Sequence, residues 1–428
     1  MKKKFKIPAF MIAFVLSVTL FAGCVKPVQP GDPTPPPQPP GPVDPVTPEP
    51  PGDDDEPPEI EGLTLTFSDE FKGDALDLRN WDFMLGTGGG HNYWGNNEKQ
   101  YYTEGDNVTV SGGTMKIAAK REDLVYQRIR TANSWDNDKT IWWAEDEDGE
   151  PLLDENGNPY QMEKMEFTST RMRTAGRFYQ KYGRFEAKIR LPAVQGMWPA
   201  FWMMPEQNVY GGWPRSGEID IMEARGRVPE KAGHALHFGT GAGGGHRYFA
   251  YPNDYTLRQE KLDGDGNAVL GDDGKAVTEN GTIEEYHVYR VDWYEDRFEW
   301  YIDDVLTYVI VGDSEAKADY AGVAALNPGL RINGEMWTTN NYASQPGRGE
   351  RYAPFDQEFH MILNLAVGGH FDGNRMPPED FAEAVMEVDY VRVYQFDEYL
   401  YLTEEAEDAE NGDGDYHTLA PLSYVRKR

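Results

Sequence analysis

The chain has 428 residues, enough for two or three average domains or for one large all-β domain, and its 39% apolar content can fill a sizeable core. Against 41 Lys and Arg stand 73 Asp and Glu, a formal net charge of −32 that repels nucleic-acid phosphates and argues against a DNA or RNA partner. A single Cys excludes an internal disulfide framework and any multi-cysteine metal site, while 11 Trp and 25 Tyr supply flat amphipathic rings that suit sugar faces as well as cores.

The N-terminus opens on Lys2, Lys3, Lys4 and Lys6, runs through 16 apolar-rich residues from Ile7 to Ala22, and arrives at Phe21-Ala22-Gly23-Cys24. This order reads as a secretory signal, and the apolar run is short for a membrane-spanning helix. It resembles a bacterial lipoprotein signal, which implies removal of residues 1–23 and a lipid on Cys24, although Phe21 stands where such signals prefer Leu. An ordinary signal peptide cut nearby, or an uncleaved anchor, is the alternative. The segment from Pro27 to Pro58 contains 15 prolines. Such a composition cannot pack a core and favours extended polyproline conformations, so 24–59 is expected to be a disordered stalk, reaching up to ~100 Å at about 3.1 Å per residue. A ligand for proline-recognising domains is the rival interpretation.

From residue 60 to 396 short apolar and polar runs alternate between Gly, Asn and Asp. Thr114 to Ala119, Gly183 to Ile189, Tyr289 to Tyr294 and Glu387 to Tyr394 have the period-two pattern of strands. With no comparable series of amphipathic helices, this predicts an all-β antiparallel sandwich or barrel. Two stretches interrupt the pattern, 122–166 and 255–285, each with Gly- and Asp-rich turn signals such as Asp146-Glu147-Asp148-Gly149 and Asp263-Gly264-Asp265-Gly266. They are expected to be solvated hairpin insertions. A calcium loop fits less well, since counting from Asp263 puts Ala268 where an EF-hand needs Gly and Gly274 where it needs the closing Glu. Residues 397–428 form an acidic, polar tail, with Tyr399 to Leu402 as a candidate last strand.

The richest segment for chemistry is Gly217-Glu218-Ile219-Asp220-Ile221-Met222-Glu223. On a strand, Glu218 and Asp220 share one face while Ile219 and Ile221 enter the core. Strict alternation would then bury Glu223, which is costly for an unpaired carboxylate, and a β-bulge at Ile221-Met222 returns it to the acidic face. Three carboxylates on one face suit glycoside hydrolysis, in which a retaining enzyme uses one as nucleophile and a second as acid and then base. An Asp between them can orient the nucleophile and help hold the proton on its partner. Spacing alone leaves an acidic, solvated strand edge open.

The same heptapeptide resembles the catalytic signature of glycoside hydrolase family 16, in its bulged form. Five further segments are similar to the laminarinase-like branch of that family and occur in the same order: Phe67-Ser68-Asp69-Glu70-Phe71, Trp94 to Thr103, Tyr182 to Lys188, Gly196 to Trp202, and Phe359 to Gly369. The resemblance covers about residues 63–396. It implies a concanavalin-like β-jelly-roll sandwich of two antiparallel sheets, with an open concave cleft in which β-glucan chains are cut internally. Glu218 then corresponds to the nucleophile, Glu223 to the acid/base and Asp220 to the orienting carboxylate. His237, in Ala235-Leu236-His237-Phe238-Gly239, corresponds to the family's His beside the acidic strand, and His234, three residues earlier, falls on the opposite face and is expected to be structural.

Trp198, Trp202 and Trp213 are candidate stacking platforms for sugar rings, with core packing as the alternative for each. Trp198 and Trp202 share a face only if Pro199 does not break the strand. Asn97 lies in a loop that the resemblance places near the cleft. Catalysis needs no cofactor, but the resemblance implies a structural calcium whose side-chain ligands map to Glu70 and Asp389. The insertions 122–166 and 255–285 exceed what the resemblance leads one to expect and would change the subsites if they border the cleft.

The expected function is endo-acting, retaining hydrolysis of β-1,3-glucan or mixed β-1,3-1,4-glucan by a monomer anchored outside the cytoplasm through the lipid on Cys24. Two alternatives remain in view: a galactan hydrolase of the same fold, acting on agar or carrageenan, and a non-catalytic β-glucan-binding surface lipoprotein.

Overall fold

The computed structural model describes residues 57–397 apart from 89–92, 130–140, 144–149, 152, 154–156, 158–159, 241–244, 251–254, 262, 264–268, 272–276 and 321–329. The signal, Cys24, all but the last residues of the stalk, the tail beyond residue 397 and the tips of both insertions lie outside the described residues.

Alternation of apolar and polar side chains builds two large sheets. Among the described residues, one has twelve strands and the other eight, and a small two-stranded sheet stands apart. The period-two segments become the strands Thr114–Ile129, Gly183–Arg190, His287–Trp293 and Glu383–Phe396, all in the twelve-stranded sheet. Pairing is antiparallel except where Gln100–Tyr102 meets Phe167 to Ser169 and where Tyr308 and Val309 meet Arg331 and Ile332.

Between the sheets lies one continuous core. Phe185, Ile189, Val291, Trp293, Phe298, Trp300 and Val391 enter it from the twelve-stranded sheet, and Phe201, Met203, Ile219, Leu236, Phe238 and Leu363 from the eight-stranded one. Each large side chain withdrawn from water in this way contributes about 1.5–3 kcal/mol, so the two inner faces hold the sheets in fixed apposition. The outer face of the eight-stranded sheet is the cleft.

Both insertions join this frame at their bases. The first prolongs a hairpin, with Thr114–Ile129 pairing Tyr160–Ser169 from Lys120 opposite Thr168 to Ile129 opposite Tyr160. The second rises from Leu257 and Ile283, both fully buried in the core, into the two-stranded sheet of Arg258–Glu260 and Thr278–Asn280.

Candidate active site

The acidic strand Glu218–Ala224 lies inside the eight-stranded sheet, between the tryptophan strand Met197–Pro205 and the histidine strand Lys231–Thr240. Asp220 faces Ala235 and Glu223 faces Gly233, so Ile221 and Met222 together oppose the single residue His234. Two residues against one is a bulge, at the place where alternation demanded it. Ile219, Ile221 and Met222 all enter the core, and Glu218 and Glu223 remain partly open on the cleft side. Gly217 starts the strand with φ 93°, and a Cβ there would lie 2.7 Å from the Phe355 ring, so both backbone and packing require glycine.

Each glutamate has its own indole. Trp213 Nε1–H donates to Glu218 Oε2 at 2.9 Å, and Trp198 Nε1–H donates to Glu223 Oε1 at 3.0 Å. Burial, reinforced by repulsion from Asp220, holds both carboxyls well above the usual carboxylate range. His237 moves the opposite way from an ordinary buried histidine: burial would lower it, but Glu218, Asp220 and Glu223 outweigh burial and lift it to about 9.

An imidazolium accounts for the contacts of His237. Its Nε2 forms an ion pair with Asp220 Oδ2 at 3.2 Å, and its Nδ1–H donates to His246 Nε2 at 2.8 Å. Burial and the His237 charge together lower the proton affinity of His246, leaving that nitrogen able to accept. Glu218, Asp220 and His237 bring potential ligand atoms within 4.8 Å of one another, and His237 spends Nε2 on Asp220 and Nδ1 on His246. The cluster is an acid–base arrangement: two carboxyls of raised proton affinity, a third between them, and a cation beside it.

Residues 96–353 match the sequence model of Glycosyl hydrolases family 16. The chain belongs to this family. It is 31% identical over 352 residues to Glucan endo-1,3-beta-glucosidase A1 of Niallia circulans, a match covering 79% of this chain and 39% of that protein. It is 32% identical over 339 residues to Beta-glucanase of Rhodothermus marinus, covering 78% of this chain and 85% of that one. Among solved structures, the laminarinase catalytic domain from Thermotoga maritima is similar at 28% identity with a TM-score of 0.49, covering 78% of this chain and 99% of that chain. As a family 16 member the chain is a glycoside hydrolase.

The acidic cluster and its surroundings gather most of the residues singled out from sequence. The tryptophan strand keeps its register against Phe359–Val367 from Met197 to Pro205, so Pro199 does not break it and Trp198 and Trp202 share the cleft face. Trp198 stacks on Phe371 at 5.0 Å between centroids. Trp202 donates Nε1–H to Asn364 Oδ1 at 2.8 Å. Trp213 is half exposed on the rim. Asn97 contacts none of the acids; its amide donates to Asn374 Oδ1 at 2.9 Å and its oxygen accepts from Lys99 Nζ at 2.6 Å, which ties its loop to the segment after Phe371.

Glu70 and Asp389 do not fit a calcium site as arranged. Arg392 donates from Nε and Nη2 to the two oxygens of Glu70, each at 2.8 Å, and Lys188 pairs with Asp389 at 2.5 Å. Each carboxylate already carries a cationic side chain.

Three site features are additional to the sequence reading. Arg171 lies between the rings of Trp94 and Trp202, 4.3 and 4.6 Å from their centroids, and its charge favours the ionised form of Glu218. His246 and Tyr248, on the strand Gly245–Ala250, extend a run of rings from Trp213: Trp213 to His246 is 4.8 Å, and His237 to Tyr248 is 5.5 Å. His234 is enclosed in the core and bonds the bulge from behind, its Nδ1 lying 2.7 Å from the carbonyl of Ile221.

Proposed function

We propose that the protein is an endo-acting, retaining β-glucanase cleaving internal bonds of β-1,3-glucan or mixed β-1,3-1,4-glucan. The observation that carries this is the pair itself: Glu218 and Glu223 share one open strand face with Asp220 between them, and each is held by a tryptophan N–H. In the first step Glu218 attacks the anomeric carbon as a carboxylate, while Glu223 delivers its proton to the departing glycosidic oxygen. Glu223, now ionised, takes a proton from water, and the resulting hydroxide displaces Glu218 from the glycosyl ester, restoring both groups. Asp220 and the His237 cation keep charge and orientation fixed across the cycle. Half-exposed Trp213 and exposed Tyr248 on an open rim support binding along a chain rather than at its end.

Release of reducing ends from laminarin, lichenan and agarose by wild type and Glu218→Gln tests the assignment. Activity on laminarin or lichenan that falls at least 10³-fold in the variant supports it; undiminished activity in Glu218→Gln refutes the nucleophile, and cleavage of agarose alone transfers the enzyme to galactans. The anomeric configuration of the first product, followed by NMR, must be β.

The same proposal places the enzyme outside the cytoplasm as a monomer, held by a lipid on Cys24 at the base of the proline-rich segment. The support is the order of basic, apolar and Cys-containing segments at the N-terminus. Cys24→Ala should move the protein from the membrane fraction to the soluble one; unchanged membrane association would refute the anchor.

A further inference from the structure

The bulge in the acidic strand exposes a problem that its side chains do not solve. Where two residues oppose one, ladder hydrogen bonds are interrupted, and here the interruption faces the core rather than water. A buried carbonyl left without a donor costs about 1–3 kcal/mol. Two side chains supply the donors. Trp300 donates its indole N–H to the carbonyl of Asp220 at 3.0 Å, and His234 Nδ1 lies 2.7 Å from the carbonyl of Ile221. His234 is the residue that the bulge opposes on the histidine strand, whereas Trp300 belongs to Arg297–Ile302 of the other sheet.

The protonation of His234 follows from its neighbours. A carbonyl can only accept, so Nδ1 carries the proton. Burial keeps the ring neutral, lowering its pKa to about 4, so Nε2 accepts, and the Thr307 hydroxyl shares its one proton between this nitrogen and the carbonyl of Trp300, each 3.0 Å away. The ring is further fixed by stacking against Trp300 at 6.1 Å. His234, Trp300 and Thr307 are all enclosed between the sheets and cannot touch a polysaccharide in the cleft.

We propose that His234 and Trp300 are positioning residues that clasp the carbonyls of Ile221 and Asp220, fix the bulge, and thereby keep Glu223 on the cleft face at working distance from Glu218. The inference rests on the assignment of Glu218 and Glu223 given above. Without the clasp the strand can slide toward regular alternation, which carries Glu223 toward the core and Met222 toward the cleft. A displacement of about 1 Å at a reacting group can cost on the order of 10²-fold in rate.

The test compares His234→Leu with His234→Asn on laminarin. Leu fills the space without a donor, while the Asn amide can occupy the place of Nδ1. The expected result is a 10- to 100-fold fall in kcat for His234→Leu with KM within about twofold, and recovery to within about fivefold of wild type in His234→Asn even if its Tm is the lower of the two. A wild-type kcat in His234→Leu, or equal losses in both variants, overturns the clasp. Should His234→Leu not fold, Thr307→Val removes the hydroxyl's bonds to His234 Nε2 and to the Trp300 carbonyl, the two members of the clasp, with little change of shape; a kcat fall at constant KM supports the clasp and an unchanged kcat overturns it. Glu218→Gln assayed alongside separates the two ideas, because loss of activity there with full activity in the His234 variants removes only the clasp.

Discussion

Trp198 donates its indole N–H to Glu223 across 3.0 Å while its ring lies on Phe371, so one side chain joins the proton-holding carboxyl to the cleft wall. The bond favours the ionised carboxyl and opposes the upward push of burial. Trp198→Phe retains most of the ring and deletes the donor. Glu223 should then keep its proton to higher pH, moving the alkaline limb of the kcat profile upward, with kcat lowered roughly 10-fold at the optimum. A limb that moves to lower pH would contradict the role given to this bond.

His237 is charged up to about pH 9, and its charge lowers the proton affinity of both glutamates. Replacing it with Gln removes the cation and lets Glu218 rise further. The acid limb of kcat/KM should shift to higher pH, so the loss is greatest on the acidic side and smallest near the alkaline limb. Parallel pH series on wild type and His237→Gln measure this; a uniform loss at all pH values would leave the ring a steric role only.

Glu223 also affects stability. Its folded proton affinity is raised above that of the unfolded chain, near pKa 4.3. The folded state therefore binds the proton more tightly, and the associated stabilisation, complete below the unfolded value, disappears as pH rises through the folded one. Glu223→Gln never ionises. Its Tm should exceed that of wild type by a few degrees at pH 9 and match it near pH 4, as read by calorimetry; the reverse order would mean that the carboxylate is better accommodated than the geometry indicates.

Gly217→Ala should destabilise the enzyme by about 2–4 kcal/mol, since positive φ and a contact with Phe355 both oppose a Cβ. The start of the acidic strand would shift with it, so activity should fall more than the fraction unfolded accounts for. Denaturant unfolding together with kcat on the folded fraction distinguishes the two effects.

Much of this site was legible in sequence because its chemistry is written along one strand. The conflict between alternation and a buried Glu223 located the bulge, and the same period-two argument placed His234 on the face opposite His237. What was not legible depends on partners brought together from distant strands. The task of His234 is set by a backbone carbonyl, which leaves no trace in residue type. Arg171 belongs to a strand of three residues, too short for a periodic signal, and its meaning comes from Trp94 and Trp202 on either side. Glu70 and Asp389 were readable as oxygen ligands only until Arg392 and Lys188 were placed beside them. Asn97 had the right neighbourhood in sequence, but its amide is spent on Asn374.

The carbonyls of Asp220 and Ile221 are gripped from the interior, on the side of the strand away from the sugar. In the proposed mechanism, recognition and alignment therefore occupy opposite sides of a single strand. Side chains lining the cleft can then be exchanged to suit another polysaccharide while the spacing of Glu218 and Glu223 is left intact. Repacking around Trp300 and His234 would instead alter the rate on every substrate alike.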